Sequence, residues 1–442
     1  MGMTKPDTKV RAAAVNSLIR TFNGSKFSNL ELDSSIKKHG FSEKDAAFFT
    51  ALYYGVIERR ITLDAIISGL SSRPADRIDQ RVMEIMRVGL YQLRYMDRVP
   101  DYAAVSTSVE MAGKSAGQYV NAVLRAYLRD PGRFDPGKVG LSGNALLSYR
   151  YSVPEWMLGS WTEDYGRKAA ESIAALACSK PCVTLRTNTL VTDRDSLMAE
   201  LRSAGAECRE IEWCGEAVRL GSSGPVGEMA PVSEGRAFVQ DCASQLCVKA
   251  LSPQPGETVL DVCACPGGKS FSAAMLMENR GRIISSDIHG NKLSLVSEGA
   301  ARLRIGIIET RLQDAREYDP GLVSSADRVI CDVPCSGLGV IAKKPEIRYK
   351  DRDEFARLPS IQEQILETSS RYVKPGGTLV YSTCTLRRRE NDEVVEEFLS
   401  KARDFKPFDF SFGSYSSSGG RLTIFPSETT DGFFIAGMKR AN

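Results

Sequence analysis

The chain predicts a multidomain protein: an all-α N-terminal bundle, a small α+β module and a C-terminal α/β domain on a parallel, doubly wound sheet. Three observations carry this reading. Apolar residues recur at helical spacing over residues 10–129 with little β-branched alternation. A short alternating run, residues 182–188, then follows a stretch rich in proline and glycine, 131–137. From Phe238 onward strand-like and helix-like segments take turns, the pattern of a parallel sheet covered by helices. At 442 residues, and about 150 residues per domain, two or three domains are expected. The composition shifts place them at 1–140, 141–236 and 237–442.

Charge and cysteine usage narrow the class. The 58 basic and 55 acidic residues leave a net charge of only +3, but through Lys138 there are 21 basic against 15 acidic residues, and beyond it 37 against 40. A basic N-terminal part suits a polyanion such as RNA, and equally an ordinary solvated surface. The start, Met1-Gly2-Met3-Thr4-Lys5-Pro6, has no apolar signal core, and no apolar run approaches the roughly 20 residues of a membrane span, so a soluble, cytoplasmic chain is expected. Eleven cysteines without an export signal point to reduced thiols. Zinc is set aside: the histidines are His39 and His289, and the close cysteine pairs, Cys263/Cys265 and Cys331/Cys335, lack zinc-ligand spacing.

In the N-terminal part, residues 10–19 have a helical apolar stripe, and Ser42-Glu43-Lys44-Asp45 caps a helix through Phe48, Leu52 and Val56. Further helices are expected to begin near Leu63, Asp79 and Tyr102, with Asn121 and Arg125 one turn apart at the end of the bundle. In the module, a helical segment starts around Pro154, residues 182–188 alternate as a strand, residues 195–204 form a helix ended by Gly205, and short strands lie at 218–221 and 237–239.

The C-terminal part carries the chemistry. Residues 258–270, Thr-Val-Leu-Asp-Val-Cys-Ala-Cys-Pro-Gly-Gly-Lys-Ser, read as strand, tight glycine turn and helix start. In an open α/β sheet such a turn lets a ligand meet backbone N–H groups at a helix N-terminus. Strands are expected at 258–262, 282–286, 305–310, 328–332 and 378–382, with a late one at 433–436. The second ends in Asp287, nineteen residues after Gly268, where an acid in such sheets takes ribose hydroxyls. Asp314 follows the third. Asp332 ends the fourth, just before Cys335, and Cys384 follows the fifth. One acid at a strand end is commonly a cap or turn residue, and one cysteine a small buried apolar group, but here both types recur at the edge where ligands bind.

These residues resemble a known family. Residues 261–269, Asp332-Val333-Pro334-Cys335-Ser336-Gly337, Lys374-Pro375-Gly376-Gly377 and Tyr381-Ser382-Thr383-Cys384-Thr385 are similar to the motifs of S-adenosylmethionine-dependent RNA (cytosine-5) methyltransferases. The resemblance extends over residues 239–245 and 431–436. The helical part, with Tyr91-Gln92-Leu93, Asp97-Arg98-Val99-Pro100 and Val120-Asn121-Ala122-Val123-Leu124-Arg125, resembles the NusB-like RNA-binding domain of one subgroup, the bacterial 16S ribosomal RNA methyltransferases of the RsmB (Fmu/Sun) type. The resemblance implies an all-α NusB-like bundle and a Rossmann-like methyltransferase domain that uses S-adenosyl-L-methionine. It implies that Cys263, Ala264, Cys265, Pro266, Gly267, Gly268 and Lys269 wrap the cofactor, that Asp287 holds its ribose and Asp314 its adenine, and that Asp332 lies beside its charged end and the target base. It further implies that Cys384 adds to carbon 6 of cytosine and that Cys335 helps remove the carbon-5 proton and release product. A free cysteine titrates near about 8.5, so Cys384 needs surroundings that favour the thiolate, which either Lys269 or the cofactor's sulfonium charge supplies.

The chain departs from the family in two places. Cys265 stands where a second alanine is usual, and Arg387-Arg388-Arg389 precede Glu390-Asn391 where proline is frequent. We read the arginines as a solvated helix start and assign RNA binding instead to residues 338–350, with Lys343, Lys344, Arg348 and Lys350; Tyr349 there stacks a base or joins a core. The competing readings are a catalytically inactive NusB-like RNA-binding factor, methylation of transfer RNA, and a DNA cytosine-5 methyltransferase, against which Cys384 argues. The expected partner is 16S ribosomal RNA, with neither membrane nor DNA, and a monomer is favoured.

Overall fold

The computed structural model describes residues 8–24, 28–181, 183–221 and 226–442. The N-terminal residues 1–7, Cys182 at the start of the alternating run, and part of the Gly/Pro-rich stretch, 222–225, lie outside them. The chain forms two compact units. One comprises Met1–Ser179 with Ile341–Lys350, the other Lys180–Val340 with Asp351–Asn442. Among the described residues no helix is long and apolar enough to cross a membrane.

The first unit is helical. Helices Lys9–Phe22, Ser28–His39, Glu43–Leu70, Gln80–Tyr95 and Asp101–Arg129 enclose a core that includes Leu18, Phe49, Tyr53, Ile57, Met86 and Leu124. Helices Gly143–Tyr151, Glu155–Tyr165 and Arg167–Leu176 follow. The Ser42 and Asp79 side chains cap their helices by accepting from Asp45 N and Val82 N. Arg125 Nε donates to Asn121 Oδ1 at 3.0 Å. The helix expected to begin near Leu63 does not: Glu43–Leu70 runs through it unbroken as 28 residues. That point is nonetheless unusual, because the Ile61 and Thr62 N–H groups reach Ser152 Oγ at 2.9 and 3.5 Å, an inserted hydroxyl of the kind that bends helices.

The insertion makes a receptor for the strap Ile341–Lys350. The carbonyls four residues before Ile61 and Thr62 belong to Ile57 and Glu58; they accept from Tyr349 Oη at 2.5 Å and Arg348 Nη1 at 2.6 Å. Arg348 also donates to Ser152 O at 3.3 Å and to Ala177 O, and Ser28 Oγ donates to Glu346 Oε2 at 2.7 Å. The Arg348 residue is 1 % exposed. Assigning Arg348 to RNA is therefore corrected: its charge is directed at backbone carbonyls inside the helical unit. Tyr349 packs edge-on against Phe22 and is core.

In the second unit, β1 (Val183–Thr187), β2 (Cys208–Glu210), β3 (Ala217–Leu220) and β4 (Ala237–Val239) form an antiparallel sheet in the order β2-β3-β1-β4, with helix Arg194–Ser203 packed on it. The larger sheet contains β5 (Thr258–Asp261), β6 (Arg282–Asp287), β7 (Ile308–Leu312), β8 (Ala326–Asp332), β9 (Val373–Thr383), β10 (Phe405–Pro407), β13 (Arg421–Ile424) and β14 (Phe433–Arg440), with β11 (Ser411–Phe412) and β12 (Tyr415–Ser416) in a separate small hairpin. Its order is β10-β14-β9-β8-β5-β6-β7, with β13 paired to β14. The strands β5 to β9 are mutually parallel, but β14 runs antiparallel to β9, so the sheet is mixed rather than wholly parallel. Alternation along one strand says nothing of the direction of its neighbour, and β14 needs no crossover helix to return beside β9. The third strand lies two to three residues later than its apolar run suggested.

Register now fixes the working edge. Asp332 faces Ser382 across β8 and β9, and Thr383 faces Phe434 across β9 and β14. The carboxyl ends of β5, β8 and β9 and the amino end of β14 thus converge where ligands bind in open α/β sheets.

Candidate active site

The glycine turn after β5 is built by backbone conformation. Gly267 adopts φ +107°, and a Cβ there would stand 2.5 Å from the Phe271 ring, so neither backbone nor packing accepts a side chain. Its N–H donates to Ala264 O at 2.6 Å, while Ala264 N–H donates to Ser286 O at 2.8 Å, tying the loop to β6. Gln240 supports the turn from outside, donating to Gly268 O at 3.0 Å and accepting from Ser272 Oγ at 2.7 Å.

This loop walls one side of a cavity of about 260 Å³ whose lining includes Asp241, Asp261, Cys263, Ala264, Cys265, Pro266, Gly268, Lys269, Asp332, Cys384 and Phe433. Asp261 Oδ2 accepts from Ser270 Oγ at 2.7 Å, but Oδ1 is buried and has no partner. Burial pushes the Asp261 carboxyl up to about 7, against the opposing pull of Ser270 and Lys269. An orphaned acid oxygen beside a glycine turn at a helix start fits a ligand that is both cationic and polar, as the methionine end of S-adenosylmethionine is.

Lys269 and Asp332 form a pair across the cavity, Nζ to Oδ2 at 2.5 Å, and Ser382 Oγ donates to the other Asp332 oxygen at 2.7 Å. Burial opposes the Lys269 charge, but the neighbouring carboxylate outweighs it and raises the pKa. The same ammonium lies 5.2 Å over the Phe433 ring. Lys269 is thus committed to Asp332 first.

The two cysteines predicted from neighbouring strand ends meet: Cys335 Sγ and Cys384 Sγ are 3.2 Å apart. The hydrogen bond with Cys384, and then burial, hold the Cys335 thiol well above its ordinary range. The loop behind them leaves no room for side chains, because Gly339 N–H donates to Cys384 O at 2.9 Å and Gly432 N–H to Gly339 O at 2.9 Å. A Cβ on Gly339 would collide with the Gly432 carbonyl.

The remaining predicted residues are placed differently. Asp287 lies beyond the cavity lining, its Oδ2 accepting from Cys265 N–H at 3.2 Å and Oδ1 from His289 N–H at 2.9 Å; against the upward push of burial these bonds lower its pKa. Asp314 also lies off the lining and is bound by Arg316, whose guanidinium lowers its pKa. Arg387 is not part of a solvated helix start: it is buried and donates to Glu390 Oε1 at 3.1 Å, while Arg388 and Arg389 are exposed. Sequence reasoning assigned no role to Gln240, Asp241, Phe433, Gln362, Glu390 or Asn391. Their signal is tertiary, apart from the bare presence of Gln240, Asp241, Phe433 and the pair Glu390-Asn391 in motif-like stretches.

A parallel sheet closed by an antiparallel last strand, with a glycine turn after its central strand and paired thiols at the working edge, is an α/β methyltransferase domain. Comparison with known proteins then specifies the family. Residues 248–439 match the model for 16S rRNA methyltransferase RsmB/F, residues 8–129 that for the NusB family, and residues 153–227 that for the ferredoxin-like domain of RsmF/B-like methyltransferases. The chain is 37% identical over 448 residues to the probable ribosomal RNA small subunit methyltransferase B of Bacillus subtilis, covering 98% of this chain and 99% of that one. It is 35% identical over 431 residues to the corresponding protein of Synechocystis, covering 94% and 96%. The crystal structure of PH0851 matches with TM-score 0.82 over 100% of both chains at 24% identity, a likeness of fold. The chain belongs to the ribosomal RNA small subunit methyltransferase B family.

Proposed function

We propose that this protein methylates carbon 5 of a cytosine in 16S ribosomal RNA, with S-adenosylmethionine as methyl donor and a transient bond between Cys384 and the base. The single observation that carries the reading is the 3.2 Å approach of two thiols, Cys335 and Cys384, with Cys384 on the wall of a cavity that also holds the Lys269–Asp332 pair. Family membership supports ribosomal RNA as substrate, since the relatives bear that name.

The chemistry follows from the base. Carbon 5 of cytosine is a poor nucleophile until a thiolate adds to carbon 6, forming the sulfur–carbon bond and moving electron density to carbon 5. Cys384, which lines the cavity, makes that bond. Asp332, anchored by Lys269 and Ser382, accepts from the pyrimidine's amino edge and so orients the ring for addition. S-adenosylmethionine, when bound, supplies an electrophilic methyl group to carbon 5. Release requires the carbon-5 proton to leave, the ring double bond to re-form and the bond between carbon 6 and sulfur to break, returning the electron pair to Cys384. Cys335, whose sulfur lies 3.2 Å from that of Cys384, serves this half as the base: its thiolate takes the carbon-5 proton and ends as the thiol, while the carbon–hydrogen electron pair re-forms the ring double bond.

The two thiols are tested by a denaturing gel of each alanine variant with substrate RNA and S-adenosylmethionine. Cys384→Ala is expected to lose turnover and form no adduct, and Cys335→Ala to accumulate a slow-migrating protein–RNA band. Normal turnover by Cys384→Ala would sink the mechanism, and an adduct band in that variant but not in Cys335→Ala would reverse the roles. Bisulfite sequencing of 16S ribosomal RNA from cells with and without the protein tests the substrate.

A further inference from the structure

Two consecutive residues, Glu390 and Asn391, are both fully buried, and each holds the chain on either side of one thiol. Around Cys335, Ser336 N–H donates to Glu390 Oε2 at 2.8 Å, and Gln362 Nε2 bridges that same oxygen at 3.1 Å and Pro334 O at 2.9 Å. Around Cys384, Thr383 Oγ1 donates to Asn391 Oδ1 at 2.6 Å and Asn391 Nδ2 donates to Thr385 O at 3.0 Å. The two gripped segments are also joined directly, Ser336 Oγ to Thr385 Oγ1 at 2.8 Å.

The pair is itself held fast. Glu390 O accepts from Tyr381 Oη at 2.6 Å and Glu390 Oε1 from Arg387 Nη1 at 3.1 Å, which accounts for the burial of that arginine. Asn391 occupies the N-cap position of helix Asp392–Lys401, yet its side chain makes no cap bond and its backbone is at φ −116°, ψ −92°. An asparagine at that position ordinarily accepts from the first N–H groups of its helix. Here the cap is forgone and the amide is turned to Cys384's neighbours, which sets this contact apart from ordinary helix termination.

We infer that Glu390 and Asn391 are positioning residues that set the separation of the two thiols, Glu390 placing Cys335 for release and Asn391 placing Cys384 for addition. Neither lines the cavity, so S-adenosylmethionine affinity is the control that the spacing role leaves unmoved. The division of labour between addition and release rests on the covalent reading above; the spacing role does not. Reacting groups misplaced by about 1 Å lose on the order of 100-fold in rate, so small shifts of either segment are measurable.

Conservative variants keep volume and test contacts. Asn391→Asp replaces the donor to Thr385 O by an oxygen, and Glu390→Gln sets an amide against donors from Ser336, Gln362 and Arg387. Spacing is read without any methyl transfer by treating the full-length protein with diamide, a thiol oxidant that takes two hydrogens as the two sulfurs join. Peptide mass spectrometry then follows the Cys335–Cys384 disulfide. Each variant is expected to form it at least ~10-fold more slowly than the parent at unchanged S-adenosylmethionine affinity. Parental rates in both variants overturn the inference. The denaturing gel, run beside Cys384→Ala and Cys335→Ala, then reads the division of labour: Glu390→Gln accumulates adduct and Asn391→Asp lacks it, and one shared pattern in these two refutes the division. A failure of the cysteine variants to behave as stated refutes the covalent reading instead, and the diamide rates still decide the spacing role.

Discussion

At the residue scale, Asp261 makes ligand binding sensitive to pH. Its carboxyl, raised by burial to about 7, is largely protonated in the free protein below that value. A cationic ligand favours the ionised form, so binding in mildly acidic solution must release a proton, and affinity for S-adenosylmethionine is expected to rise from about pH 6 to a plateau above about 8. Calorimetry across this range checks it, and Asp261→Asn is expected to be weaker and flat. The same shift acts on folding with the opposite sense: a carboxyl whose folded pKa lies above its unfolded value favours the fold at low pH, and that contribution is lost as pH rises from about 4 through 7. A pH-independent affinity in the parent would show that Asp261 does not face the ligand. The composition of this site was legible in the sequence because a glycine turn and polar strand ends have local signatures. The partner of each residue was not. Lys269 paired with Asp332 and the burial of Arg387 depend on which strand ends and turns come together, and no period along the chain encodes that.

At the scale of single elements, the helix Glu43–Leu70 shows how far local pattern reaches. Its cap at Ser42 was legible from Ser-x-x-Asp, while its continuity through Leu63 was not, because Ser152, some 90 residues later, enters the ladder at Ile61 and Thr62. The same insertion pairs with the strap, so Arg348 matters to the helical unit although it lies far along the chain. Removing its guanidinium strands the carbonyls of Glu58, Ser152 and Ala177 in a buried site. Arg348→Ala is therefore expected to destabilise the helical unit by about 3 kcal/mol or more, and Arg348→Lys to recover only part of that, an ammonium lacking the planar fork. Chemical denaturation followed by amide exchange in helix Glu43–Leu70 measures it. Protection equal to the parent would mean the strap is a passenger.

At the scale of the whole molecule, the helical unit is the expected carrier of RNA affinity, since the residues through Lys138 hold a basic excess of 21 to 15. Deleting Met1–Ser179 and replacing Ile341–Lys350 by a short flexible linker is expected to leave S-adenosylmethionine affinity intact and to weaken RNA binding. Its salt dependence should flatten by about one unit of slope for each phosphate no longer neutralised. Equal affinity and equal slope in the shortened protein would remove RNA binding from that unit. The alternation of strands and helices beyond Phe238 made the α/β class legible, as the 3.6-residue stripe did for the bundle. The antiparallel β14 and the strap were hidden because each concerns a neighbour chosen by the tertiary fold.

The strap also bears on how such a protein can be cut, copied and recombined. A helical unit whose closing segment is encoded downstream of the whole stretch 180–340 cannot be excised by one pair of breakpoints, since Ser179 and Ile341 belong to the same unit. A gene fragment ending at Ser179 would encode a receptor without its occupant, leaving the Ile57 and Glu58 carbonyls and the space beside Phe22 to be filled by something else. A synthetic peptide spanning Ile341–Lys350 is the natural complement, and its rescue of such a fragment would turn one polypeptide into a two-piece reconstitution system.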